Sequence, residues 1–354
     1  MKVYKFGGAS VKDANGVRNL HKIISNSNDN LVVVISAMGK TTNALELVVN
    51  SFFNHKSDTE ALLKKVVDYH ENIINDLFGA NRTEIDSHIN GLYEKINGIL
   101  SDKPSLSYDY EYDRIVSFGE LISTTIVACY LKYQGLNADW IDIRECIITD
   151  SNHRDANVNI ELSSKFTKSA FEGKKIAITQ GFIAGTTTNQ TTTLGREGSD
   201  YSAAILANLL DAESVIIWKD VPGVMNADPK IYSDVQIIPV LSYKEAIELS
   251  YCGASVIHPK TVKPLQNKKI PLYVKSFLDP DAPGSVINEY TERINLPPIY
   301  INKRNQVLLS LTPRDFSFIA EERLKKKLSN LASYRSKYSH VQTAAISFLL
   351  SVEH

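Results

Sequence analysis

The feature that most constrains the fold is a repeated alternation of short β-type runs with helical stretches, joined by turns rich in glycine and hydroxyl residues. Lys2–Phe6 is β-type and runs into Gly7, Gly8, Ala9 and Ser10, after which Val17, Leu20, Ile23 and Ile24 recur at helical spacing. Leu31–Ile35 is a continuous apolar, largely β-branched run, as expected of a strand covered on both faces of a parallel sheet. It leads through a polar turn, residues 36–43, into a helical segment at 44–49. Further strand-like runs lie at 136–143, 175–179, 214–218 and 270–274, with helical ones at 115–131 and 202–210. This pattern predicts an α/β fold, an αβα sandwich with a mostly parallel central sheet. Ligands of such sheets sit at the carboxyl ends of the strands, so chemistry is sought in the loops that leave them.

Between residues 58 and 100 the period is helical throughout, and helical hairpins inserted on the sheet are expected. Residues 279–285 contain Pro280, Pro283 and Gly284, and Pro297-Pro298 follows, which reads as a linker. Beyond it a new pattern begins: a strand at Gln306–Leu311, a helix at 321–331 bearing a solvated lysine triplet at 325–327, and a strand at 344–352. At ~150 residues per domain, 354 residues suit two domains, drawn here as 1–290 and 300–354.

Composition narrows the function classes. A 43% hydrophobic and 22% charged chain is globular rather than disordered. A formal net charge of −1 offers no basic footprint for nucleic acid or an anionic membrane, so an acidic substrate must meet a locally basic pocket. The apolar runs fall short of the ~20 residues of a membrane helix. The amino-terminal residues lack an apolar leader, and the 3 cysteines have no CxxC spacing. A cytoplasmic protein without a disulfide framework or a thiolate metal site is expected. None of the 8 histidines forms a HExxH-like cluster, and no metal-ligating residues are assigned.

Five loops carry candidate chemistry. Lys5 stands at a strand end before Gly7, Gly8 and Ser10, where backbone N–H groups and a helix N-terminus suit an anion, although a plain glycine turn has the same look. Gly39-Lys40-Thr41 is not a P-loop, because the required earlier glycine is Val34. Lys40 therefore reads as a turn residue, while Ser36 and Thr42 could offer hydroxyls to a carboxylate. Glu120, beside Gly119 at the start of an apolar helix, could hold an ammonium group or merely compensate the helix dipole. The stretch 191–200 supplies Arg196, with fork geometry for a carboxylate, and Asp200, which could orient Lys5 or a metal. Ser199 and Asp200 are also good helix caps. Lys219, Asp220, Met225 and Lys230 lie on Pro-Gly and Asp-Pro turns that could wrap a nucleotide or serve only as turns.

Taken in order, KFGGAS, SAMGKTTN, SFGE, TTTLGREGSDYSAA, KDVPGV with NADPK, GASVIHP and PLYVKSF…PGSVI resemble the aspartate kinases of the amino acid kinase family. The resemblance runs from Lys2 to about Ile287, and the helices near 58–100 with SFGE favour this branch over kinases of acetylglutamate, glutamate, carbamate or uridylate. It implies the amino acid kinase fold and transfer of the ATP γ-phosphoryl group to the β-carboxylate of L-aspartate. The product, 4-phospho-L-aspartate, opens the routes to lysine, threonine, methionine and diaminopimelate. By the same resemblance Lys5 neutralises the transferring phosphoryl, with Gly7, Gly8 and Ser10 around it, and Asp200 organises Lys5 while Mg2+ bridges the phosphates. Arg196 takes a substrate carboxylate, Ser36, Thr42 and Ser199 assist, and Glu120 holds the amino group. ATP lies over Lys219, Asp220, Met225, Lys230 and Ser255.

The chain also departs from the pattern of that family. Ala9 stands where threonine is common, Glu197 where glycine or asparagine is, Lys219 where threonine is, Met225 where tyrosine is, and Ser255 where lysine is. Lys219 is expected to restore the charge missing at 255. The C-terminal stretch resembles an ACT regulatory unit cut short, with an open strand edge that a partner chain could complete; a homodimer or higher homo-oligomer is expected. A catalytically silent amino acid sensor and a kinase of another small carboxylate, such as glutamate, are the alternatives.

Overall fold

The computed structural model describes residues 1–254, 257–290, 296–303, 305–312, 325, 329, 338–344 and 347–353. Ser255 and, apart from Lys325 and Ser329, the expected helix at 321–331 lie outside them.

The chain opens with β1 (Lys2–Phe6), α1 (Ala14–Ser25), β2 (Leu31–Ile35) and α2 (Thr41–Phe53). Asp13 caps α1 by accepting from Gly16 N at 2.8 Å, and every residue of β2 is buried, as its composition requires. The insertion is a hairpin of two long helices, α3 (Thr59–Phe78) and α4 (Thr83–Ser101), turning at Gly79 with φ +54°. Each lays one apolar stripe inward; on α3 it is Leu63, Val66, His70, Ile73, Ile74 and Leu77.

The single helix expected at 115–131 is two, α5 (Tyr108–Val116) and α6 (Phe118–Tyr133), meeting at Ser117. α6 is buried almost all round, which is why its sequence lacks a polar face. The stretch Tyr108–Tyr133 is long and apolar enough to cross a bilayer, but 83% of its apolar window is buried inside the protein, as a core helix is.

Next come β3 (Asp139–Ile141), β4 (Ile148–Thr149), α7 (Ile160–Phe171), β5 (Ile176–Gln180), β6 (Ile183–Thr186), β7 (Thr191–Thr193) and α8 (Gly198–Leu209). β3 is shorter than the run at 136–143 because Asp142 accepts from Arg144 N and caps a tight turn there. The Gly- and Thr-rich stretch after β5 is a β6–β7 hairpin that pairs with β4 in a small sheet of its own. α8 begins four residues earlier than its apolar pattern suggests, so Ser199 and Asp200 lie in its first turn rather than capping it. The cap position is Glu197, which adopts a left-handed φ of +53° and makes no capping bond.

The domain closes with β8 (Ser214–Lys219), β9 (Val240–Ser242), α9 (Tyr243–Cys252), α10 (Pro259–Lys268), β10 (Leu272–Ser276) and β11 (Ser285–Asn288). The main sheet runs β3-β5-β2-β1-β8-β10-β11-β9, and every pair is parallel except β10 with β11. From β1 the chain moves first to β2 on one side and later to β8 on the other. Phe6 is in register with both Ile35 and Trp218, so the chain leaves all three strands at one level, at a topological switch point.

Among the described residues after 300, β12 (Gln306–Leu311), β13 (Tyr338–Thr343) and β14 (Phe348–Glu353) form a separate antiparallel sheet, ordered β12-β14-β13. The strand expected at 344–352 is present as β14, which starts at Phe348 rather than Ala344, and it pairs antiparallel with β13 before it; Ala344 N donates to Ser347 O between the two. Phe348, Leu350 and Val352 alternate inward on the middle strand and form their own small core.

Candidate active site

At the carboxyl ends of β1, β2 and β8 lies a cavity of about 510 Å³. Two glycine-bearing loops build its floor. Gly39 N donates to Gly8 O, and a Cβ on Gly8 would come within 2.5 Å of Ala37 O, so this approach admits only glycine. The N-terminus of α8 closes one side and adds partial positive charge.

Lys5 leaves the end of β1 almost buried, and its Nζ is 2.5 Å from Asp200 Oδ1. Lys219, the last residue of β8, places Nζ 3.6 Å from Oδ2 of the same carboxylate. Burial pushes the Asp200 carboxyl upward, but Lys5 and then Lys219 outweigh it and hold it below its ordinary value. An ionised aspartate thus sits between two lysines at the start of a helix. The two lysines carry one more positive charge than the carboxylate neutralises, which suits a phosphoryl group.

The other side of the cavity has the opposite electrostatics. Glu120, in the first turn of α6, is 2% exposed. Its Oε1 accepts from Ala37 N at 3.2 Å, while Oε2 is buried without a partner. Burial drives its pKa up to about 8, against the smaller opposing pull of the Ala37 N–H. A carboxylate so placed gains most from a bound cation with hydrogens to donate, such as an ammonium group.

The cavity gathers Lys5, Gly8, Ser36, Thr42, Glu120, Arg196, Ser199, Asp200 and Lys219 from the sequence-derived set. Gly7 and Ser10 lie beside it in the β1–α1 turn, joined by the bond from Ser10 N to Gly7 O. Asp220, Met225 and Lys230 are on the long β8–β9 connection and do not line this cavity. Met225 pairs there with Ile237 in a short bridge, and the backbone N–H of Lys230 is fixed by Asp228.

Four lining residues, Ala37, Tyr112, Arg154 and Phe182, were not singled out by sequence. Ala37 lies within SAMGKTTN, but no motif marks Tyr112, Arg154 or Phe182. The four arrive from α5 and from the loops after β2, β4 and β5, and only the packing of those elements brings them to one place. Asp113 organises part of this wall. Fully buried, it accepts from Thr193 Oγ1 at 2.7 Å, Thr193 N at 3.1 Å, Arg154 N at 3.1 Å and His153 Nδ1 at 2.9 Å.

The family model described as "Amino acid kinase family" matches residues 1–276. Lysine-sensitive aspartokinase 3 of Escherichia coli (strain K12) is 33% identical over 322 residues, covering 87% of this chain and 69% of that protein. The chloroplastic bifunctional aspartokinase/homoserine dehydrogenase 2 of Arabidopsis thaliana is 34% identical over 296 residues, or 80% of this chain. The chain spans only about a third of the length of the bifunctional relatives, 32% in that case and 36% in the Haemophilus influenzae one. Among solved structures, E. coli aspartokinase III in complex with aspartate and ADP (R-state) superposes with a TM-score of 0.86 at 30% identity, over 100% of this chain and 79% of that one. The aspartate kinase of Clostridium acetobutylicum gives 0.79 at 25%, over 100% and 78%. With a strand-end cavity of this construction and matches of this extent, the chain belongs to the amino acid kinase family, in its aspartokinase branch.

Proposed function

We propose that the protein transfers the γ-phosphoryl group of ATP to the β-carboxylate of L-aspartate, giving 4-phospho-L-aspartate and ADP, with residues 1–290 as the catalytic unit. The observation that carries this reading is the buried Glu120 carboxylate with its unpartnered oxygen, in one cavity with Arg196 and the Lys5–Asp200–Lys219 cluster. An amino acid with a second carboxylate matches those charges: ammonium on Glu120, a carboxylate on Arg196, and the reacting carboxylate toward Lys5.

Phosphoryl transfer demands positioning and charge neutralisation more than covalent help. Lys5 and Lys219 neutralise the transferring group, and Asp200 keeps Lys5 aimed at it. The turn at Gly7, Gly8 and Ser10 brings backbone donors close, while Ser36, Thr42 and Ser199 orient the acceptor. ATP extends over Asp220, Met225 and Lys230, and over Ser255. The described residues hold no cluster of three acidic, histidine or cysteine side chains. One carboxylate, Asp200, together with nucleotide phosphates suits Mg2+, which keeps much of its water and adds charge neutralisation when bound. Residues 300–354 serve as an ACT-like regulatory segment, and the edges of its three-stranded sheet would accept a second copy of the chain. The reaction belongs in the cytoplasm, at the head of lysine, threonine and methionine formation.

A hydroxamate assay for acyl phosphate, run with ATP and L-aspartate, L-glutamate or no acceptor, tests the reading. Product with L-aspartate alone is expected. Product with L-glutamate alone would reassign the acceptor, and binding of aspartate without any product would make the chain a sensor.

A further inference from the structure

We infer that Tyr69, on the inserted helix α3, is a positioning residue for the proposed phosphoryl transfer: it ties the turn that receives the phosphoryl group to the loop that receives its acceptor. The inference rests on the proposed reaction and deepens it, giving the α3–α4 hairpin a part in catalysis. Tyr69 is not among the residues that line the cavity, so it acts only through the two loops that are.

The Tyr69 hydroxyl donates to Lys12 O, in the β1–α1 turn that also carries Gly7, Gly8 and Ser10. The same oxygen lies against the β2–α2 turn: a Cβ on Gly39, whose φ is +57°, would come within 2.6 Å of it. One hydroxyl therefore spans both loops, adding a second tie to the bond from Gly39 N to Gly8 O. His70, next along the helix, supports the other end of the β2–α2 turn. It is fully buried, and its Nδ1 donates to Val66 O at 2.7 Å. Its Nε2 faces Thr41 Oγ1 at 3.5 Å, and the Thr41 hydroxyl in turn donates to Met38 O at 2.6 Å. Burial pushes the His70 pKa down to about 4, so the ring is neutral, with its proton on Nδ1. The helix is itself anchored on α1, where Arg18 donates to Asp76 O.

The two loops have different duties in the proposed reaction. The β1–α1 turn brings donors to the phosphoryl group. The β2–α2 loop serves the acceptor through Ser36 and Thr42, and through Ala37 N, which fixes Glu120. Direct transfer needs the reacting atoms about 3–3.5 Å apart and aligned. Either loop can bind its own ligand without the other, and the tie at Tyr69 sets the offset between them. Its loss should act on the transfer step more than on either binding step. A tyrosine needed only for stability would lower the folded fraction and leave the rate of folded molecules unchanged.

The test uses Tyr69→Phe, which removes the hydroxyl and keeps the ring, with circular dichroism to establish that the variant is folded. Acyl-phosphate formation from ATP and L-aspartate is followed in a single turnover at saturating concentrations, so that product release does not mask the transfer step. Binding of each substrate is measured separately by calorimetry. Tyr69→Phe should slow the single turnover by about tenfold while both dissociation constants stay within about twofold of wild type. Tyr69→Leu, which removes the ring as well, should be at least as slow. A Tyr69→Phe rate equal to wild type would overturn the inference, and so would a loss confined to either dissociation constant. Those outcomes leave the proposed reaction standing, whereas absence of acyl phosphate from the wild-type protein would overturn the reaction and the role of Tyr69 in it.

Discussion

The strand-end cavity and the β8–β9 connection, which we propose as the acceptor side and the nucleotide loop, are built by different means. Lys5 and Ser36 stand at the ends of adjacent strands locked in register, and Glu120 and Asp200 in the first turns of helices that are buried almost all round. The packed core sets their positions to within the tolerance of a side-chain rotamer. Asp220, Met225 and Lys230 hang instead on a connection of some twenty residues between β8 and β9, pinned by short bridges and turn bonds. Groups that must meet reacting atoms are on rigid elements, and groups that hold the remote end of a ligand can tolerate a loop. On that proposal, departures such as Lys219 and Met225 fall where the nucleotide loop starts and runs. A loop can be rebuilt around Lys219, whereas a change at Glu120 would leave the core repacked.

The largest expected effect comes from the acceptor side. Lys5→Ala should cut turnover by ~10³-fold or more, the scale seen when a charge stabiliser of a transition state is removed. Asp200 keeps Lys219 as a partner, so circular dichroism should show an intact fold; a rate near wild type would contradict the role of Lys5. Glu120→Gln should raise the L-aspartate KM by about 10- to 100-fold with little change in the ATP KM, since a charge-assisted bond to the ammonium is lost. Equal rises in both constants would blur the division between the two sides.

The pH dependence follows from the same carboxylate. With its pKa near 8, Glu120 is largely protonated at neutral pH and binds an ammonium only after losing its proton. Aspartate affinity should therefore fall about tenfold for each unit below pH 8, until other groups titrate. A flat profile from pH 6 to 8 in direct binding measurements would contradict this. The same shift acts on stability with a definite sign. The folded protein holds this proton more tightly than the unfolded chain, whose value is 4.5, so Glu120 contributes falling stability as pH rises from about 4.5 to about 8. Glu120→Gln should flatten that slope in urea titrations.

Smaller effects are expected across the nucleotide loop. Lys219→Ala should raise the ATP KM by about 3- to 10-fold, and an unchanged value would remove it from the nucleotide site. Lys230→Ala, on an exposed turn, should change it by less than about threefold, in the range of a solvent-screened contact. A Lys230 effect exceeding that of Lys219 would invert the proposed order.

Much of the design is legible in the residues. The β-branched run of Leu31–Ile35 already required a strand buried on both faces, and the glycines and hydroxyls after each strand marked where ligands would be held. Local chemistry therefore determined the alternation, the parallel sheet and nine of the lining residues. It misjudged elements where tertiary packing overrides local pattern. The helix at 115–131 is broken at Ser117, the helix expected from 202 begins at Gly198, and the strand expected from 344 begins at Phe348.

Only the tertiary structure could decide the rest. That Asp200 is shared by two lysines depends on β1 and β8 being neighbours, a pairing between residues more than two hundred positions apart. That Glu120 is left with an unsatisfied oxygen depends on how α6 meets the β2–α2 loop. Arg154 carries no motif at all; it reaches the cavity because the buried Asp113 draws its loop against β7. A sequence records which groups are available and which backbone they prefer. Their charge state and their neighbours arise from burial and long-range pairing, and those exist only in the folded chain.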